Sequence, residues 1–111
     1  MEDAALVRRL RQGSRLALEQ AIGRYTPYVS AVVCNALSGR GRREDVEEIV
    51  SDVFLALWSH AGGLDSERGL RPWLAVTARN RAIDWLRTHP APPDLPQEAA
   101  PGTAEGPEAE V

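Results

Sequence analysis

An all-α fold, a compact bundle of about four helices, is what residues 1–88 predict, and three observations carry it. No run of alternating β-branched residues appears, and no Asn-Gly or Asp-Gly pair is there to turn a hairpin. The apolar residues recur at three- and four-residue spacings, as one face of a helix requires. Glycines separate the periodic stretches, where helices stop.

The first helix is expected over Asp3–Gln12. Acids Glu2 and Asp3 stand at its start, arginines at its end, and Gly13 stops it. Ser14 is placed to cap a second helix. There Leu18, Ile22, Tyr25, Val29, Val32 and Ala36 make a heptad stripe. Pro27 lies within it, removes a backbone bond and is expected to kink or split the helix into two stacked segments. Ser38–Arg43 reads as a loop. The third helix, REDVEEIVSDVFLALWSH, carries Val46, Ile49, Val50, Val53 and Leu57 on one stripe, widened by Phe54 and Trp58. Acids Glu44, Asp45, Glu47, Glu48 and Asp52 crowd its first half, where they favour the macrodipole. Ala61-Gly62-Gly63 ends it, and a loop follows. The fourth helix opens with Pro72 in its first turn and runs to about Arg87. Leu74, Thr77, Ala78, Ala82, Trp85 and Leu86 mark its inner side. Val76, Arg79, Asn80, Ile83 and Arg87 fall opposite, and Arg81 falls within the apolar arc.

Near His89 the composition changes. Residues 89–111 hold six prolines, five acids and no base, with Leu95 and Val111 as the sole large aliphatics. Such a segment cannot bury enough surface to offset ordering entropy, so a disordered tail or linker is expected. The domain boundary is therefore set between residues 1–88 and 89–111.

The 111 residues carry a formal net charge of −3. That figure hides an asymmetry, because residues 1–88 have 13 bases, all arginine, against 11 acids. No apolar run approaches the ~20 residues of a membrane span, and the N-terminus lacks a signal-peptide pattern. The single cysteine, Cys34, excludes an intrachain disulfide and fits a reducing cytoplasm. It lies beside the apolar stripe of the second helix and reads as a buried, inert thiol. His60 and His89 have no partners at metal-ligand spacing, and no glycine pattern makes a phosphate loop. The sequence thus offers no catalytic residue, metal site or cofactor site.

Nucleic-acid chemistry is better represented. Residues 68–88 contain Arg68, Arg71, Arg79, Arg81 and Arg87 against one acid, Asp84, with Trp73 and Trp85 interleaved. Guanidinium groups fork onto phosphate, and an aromatic plane can stack on an unpaired base. The alternative is a basic surface helix with two core tryptophans.

Three blocks, DVEEIVSDVFLALW (45–58), LDSERG (64–69) and WLAVTARNRAIDWLR (73–87), resemble region 2 of bacterial sigma-70-family factors, most closely the extracytoplasmic-function group. The resemblance runs through residues 3–88 in order and implies a sigma region 2 helical bundle. It implies a module that binds core RNA polymerase and recognises and helps melt the promoter −10 element, without chemistry of its own. The β′ clamp helices of the polymerase would meet Asp45, Glu48, Ser51 and Asp52; the family usually has glutamine where Ser51 stands. At the −10 element of the promoter, the non-template strand would meet Arg68, Arg71 and Trp73, and the upstream duplex edge and its phosphates would meet Arg79, Asn80, Ile83 and Arg87. The loop before the last helix captures a flipped base in the family; here it is one residue shorter, with Leu70 near the usual phenylalanine. A cytoplasmic, nucleoid-associated location follows. A rival from another class is a sigma-like interaction module that docks an anti-sigma factor or other regulator, its DNA binding vestigial.

Overall fold

In the computed structural model, which describes residues 2–65 and 67–90, four α-helices follow in order: α1 (Glu2–Arg11), α2 (Arg15–Leu37), α3 (Arg43–Ser59) and α4 (Arg71–Thr88). A 3-10 turn, Ala61–Gly63, follows α3. The expected tail lies outside the described residues from 91 onward. Among the described residues there is no strand, and no helix is long and apolar enough to cross a membrane.

Helix α2 is the central element and packs on α1, α3 and α4, while α3 also packs on α4. Its start is fixed as expected: Ser14 Oγ accepts from the Ala17 N–H at 3.1 Å. At its end Ser38 takes a left-handed conformation, φ 54°, and its N–H closes on the Cys34 and Asn35 carbonyls. The buried row of α2, however, is Ala17, Ala21, Tyr25, Val29, Val33 and Leu37, spaced by fours throughout. A row of fours creeps around a helix, whereas a heptad row stays nearly on one side. A helix with three partners has to turn different faces inward along its length, and the creeping row does this. Two expectations fail for this reason. Ile22 is exposed, and Cys34, one position past the buried Val33, is an exposed thiol rather than a buried one.

Pro27 does not split α2, which runs unbroken from residue 15 to 37. Pro27 and Gly23, whose carbonyl loses its partner, are both exposed, so water can replace the missing bond. The buried Tyr25 and Val29 on either side hold the helix to its neighbours.

The core draws Leu6, Val7 and Leu10 from α1, and Ile49, Val50, Val53, Phe54 and Leu57 from α3. Leu74, Ala78 and Ala82 come from α4, and the small size of the two alanines lets α4 approach closely. Trp58 was expected to widen the α3 core stripe but stands on the solvent side, 36% exposed. Trp73 and Trp85 are half-buried against the core. Arg81, despite its position in the apolar arc, is exposed.

Candidate functional site

Two surfaces of opposite chemistry emerge. The first belongs to α4 and the loop before it. At about 100° per residue, Arg79, Asn80, Ile83 and Arg87 share one outward face, joined by Val76, and all five are exposed. Arg79 has no ion-pair partner among the described residues, whereas the Arg87 guanidinium is held by Asp84 one turn back. The structure sets Arg68, Arg71 and Trp73 apart from this face, at the N-terminal end of α4. There Leu64 and Leu70 are buried and anchor the intervening loop. Within it, Asp65 Oδ1 accepts from the Glu67 N–H at 2.9 Å, and the Asp65 carbonyl accepts from Arg68 at 3.2 Å. Arg71 lies over the Tyr28 ring of α2, 4.8 Å from its centroid, and remains exposed. The Trp73 ring sits 6.4 Å from that of His60 and packs on the core, which leaves only part of it to meet a base.

Behind this end of α4 lies a polar cluster that helix periodicity does not reveal. The Tyr25 hydroxyl donates to both oxygens of Asp3, at 2.7 and 2.6 Å. Arg24 approaches the same carboxylate at 3.5 Å, and the Leu70 N–H donates to it at 3.4 Å. Burial, then the hydrogen bond to Asp3 and its charge, push the Tyr25 hydroxyl up to about 12, partly opposed by Arg24 and Arg71.

The second surface is the outer side of α3. Glu48 and Ser51 are exposed; Asp45 and Asp52 are half-buried beside them. Asp45 is also committed locally, because its Oδ2 accepts from the Arg42 N–H at 2.8 Å and so closes the start of α3. Leu55, 64% exposed, and Trp58 share the side of Glu48 and Ser51. Both were legible on a helical wheel, since they fall away from the Val46, Val53 and Leu57 stripe. Between α2 and α3 a groove of about 490 Å³ is walled by Leu18, Ile22, Phe54 and Leu55, with Glu47 and Ser51 also lining it.

Against known proteins, the sigma-70 region 2 family model matches residues 21–90 of this chain. The chain belongs to the sigma-70 region 2 family. The family expected from the three sequence blocks is thus the family found. This sigma region 2 chain is similar to the RNA polymerase sigma factor NccH of Alcaligenes xylosoxydans xylosoxydans, 35% identical over 85 residues that cover 77% of this chain and 44% of that protein. It is also similar to the probable RNA polymerase sigma factor RfaY of Xanthomonas campestris pv. campestris, 36% identical over 72 residues, 64% of this chain and 18% of that protein. The chain therefore spans less than half the length of these curated relatives. Among solved structures, an engineered region 2 of sigmaE, determined by NMR in complex with GTAAAA, superposes with a TM-score of 0.70 at 25% identity, covering 84% of this chain and 94% of that one. The four-helix sigma region 2 bundle inferred from the motifs is the fold observed.

Proposed function

We propose that this domain joins core RNA polymerase to promoter DNA, and recognises and helps melt the −10 element. The observation that carries the reading is the separation of two surfaces on one bundle. The outer side of α3 is acidic and partly apolar; residues 68–88, which are α4 and the three residues before it, carry a local net charge of +4. The acidic side suits a basic coiled coil, which is the chemistry of the β′ clamp helices, with Glu48, Ser51 and Asp52 in contact and Asp45 nearby. Leu55 and Trp58 add the apolar anchors from which interfaces draw most of their affinity.

For DNA, Arg79, Asn80, Ile83 and Arg87 would meet the upstream edge and its phosphates, while Arg68 and Arg71 flank the captured strand and Trp73 backs it. The engineered region 2 of sigmaE that this chain resembles is in complex with GTAAAA, and this supports a nucleic-acid-binding role for the bundle. Flipping a base costs a few kcal/mol, and the polymerase-bound state must offset it. The polymerase performs the chemistry; the domain supplies position and specificity, needs no cofactor, and works in the cytoplasm at the nucleoid.

A pull-down with core polymerase, followed by crosslinking to forked −10 DNA, tests the reading. Retention on polymerase with crosslinks to residues 68–88 is the expected result. The apolar groove between α2 and α3 favours one rival, a docking module for an anti-sigma factor or other regulator. Under that rival, crosslinks to residues 68–88 are absent, and alanine at Arg79, Asn80 and Arg87 changes nothing.

A further inference from the structure

The cluster around Asp3 spans three helices and ends at the strand-capturing loop. Tyr25 on α2 grips both carboxylate oxygens of Asp3 on α1, at 2.7 and 2.6 Å. The same carboxylate receives the Leu70 N–H, the last residue before α4, at 3.4 Å. Gly69 passes so close that a Cβ there would stand 3.2 Å from Asp3 Oδ2, and its φ of +79° is one that side chains disfavour. The Tyr25 ring meets Tyr28 edge to face at 6.4 Å, and Tyr28 carries the Arg71 guanidinium on its own face at 4.8 Å. An unbroken series of contacts thus links the start of α1 to the first turn of α4. A charged acceptor shared by a hydroxyl, a guanidinium and a backbone N–H is an expensive arrangement to leave half-made, because the Tyr25 hydroxyl and the Leu70 N–H sit on buried residues and Asp3 is half-buried.

We propose that Asp3 and Tyr25 are positioning residues for promoter recognition: they fix the backbone at Gly69 and Leu70 and thereby aim Arg71 at the captured strand. This rests on the reading of residues 68–71 as the strand-capturing end. It also gives α1 a role beyond packing, as the brace of a loop that lies 67 positions away in sequence.

The test uses the full chain with Asp3→Asn and Tyr25→Phe, singly and together. Two readouts are taken where circular dichroism shows all forms folded. One is hydrogen exchange at the Leu70 amide. The other is the salt dependence of binding to a short fluorescent single strand of mixed sequence. Both single variants are expected to lose protection at Leu70. They should bind the strand about threefold to tenfold more weakly, the worth of one ordinary hydrogen bond. The slope of log K against log salt should shrink by about 0.7, the share of one phosphate contact on a single strand. The double variant should be no worse than the weaker single, since both act through one brace. Wild-type protection at Leu70 in both variants overturns the proposal. So does weaker binding with an unchanged salt slope, which would mean that the pair only stabilises the fold. If Leu70 loses protection but the wild-type chain binds no strand at all, the DNA reading itself falls, and the functional half of the proposal falls with it.

Discussion

Asp3 shows what a residue-level reading of sequence can and cannot reach. Its position at a helix start explained it completely as a partner of the macrodipole, and nothing in the spacing linked it to Tyr25 or Leu70. Such links are tertiary, set by how α1 lies across α2, and helix periodicity contains no term for them. Tyr25 itself was legible as core, but its hydroxyl was not legible as a donor. The pair has a measurable signature. With the Tyr25 hydroxyl pushed up to about 12 in the folded chain, against about 10 when unfolded, the unfolded state releases its proton first. The stabilisation is therefore whole below pH 10 and declines as pH rises from there toward 12. Urea titrations across that window should show the native chain losing stability more steeply than Tyr25→Phe, which has no phenol to titrate. Parallel curves for the two proteins would mean that the hydroxyl is not held by Asp3 in solution.

At the scale of the element, helix existence and order were readable, but the side each helix buries was not always so. α4 is the clear case: its outward face of Arg79, Asn80, Ile83 and Arg87 follows directly from the wheel, because one side packs and the other does not. α2 defeats the wheel because its neighbours change along its length. α3 lies between, with its inner stripe read correctly and Trp58 assigned to the wrong side by its hydrophobicity. Two predictions belong here. Reversing charge on the α3 surface with Glu48→Arg and Asp52→Arg should abolish retention on core polymerase while helix content by circular dichroism is preserved; a close charge mismatch costs several kcal/mol. Unchanged retention would reduce the acids to helix-stabilising charge. On α4, Arg79→Ala should flatten the salt slope of binding to forked −10 DNA by about 0.9, the share of one duplex phosphate contact. Arg87→Ala should do less, because Asp84 already holds that guanidinium. The pair Arg8→Ala and Arg9→Ala should leave the slope alone. An equal response from all of them would mean diffuse charge attraction rather than a reading face.

The whole molecule is defined by where its charge lies. Fold class and family were legible because three motif blocks and their spacing survive in sequence. The placement of the two surfaces on separate sides of the bundle needed the structure, since it depends on α3 and α4 packing inner face to inner face. The domain boundary, drawn from composition at residue 88, can be tested more sharply with the structure in hand. The His89 ring stacks on Trp85 with centroids 4.1 Å apart and planes within 4°. Arg40, from the loop between α2 and α3, donates to the His89 carbonyl. A cut after Thr88 therefore removes a stacked ring and a clamp across the end of α4, while a cut after Pro90 removes neither. All five acids of the C-terminal segment lie beyond Pro90, so that second cut takes the net charge from −3 to +2. We expect 1–90 to melt within a few degrees of the full chain, and 1–88 to melt measurably lower, by the several degrees that ~1 kcal/mol costs a domain of this size. We also expect 1–90 to bind single strands more tightly than the full chain at low salt. That gain should vanish as salt rises, because repulsion between exposed charges is screened beyond about 8–10 Å at physiological ionic strength. A large fall in the melting temperature of 1–90 would show that the acidic segment docks on the bundle. A gain in affinity that persists at high salt would show that it covers the α4 surface by contact rather than by charge.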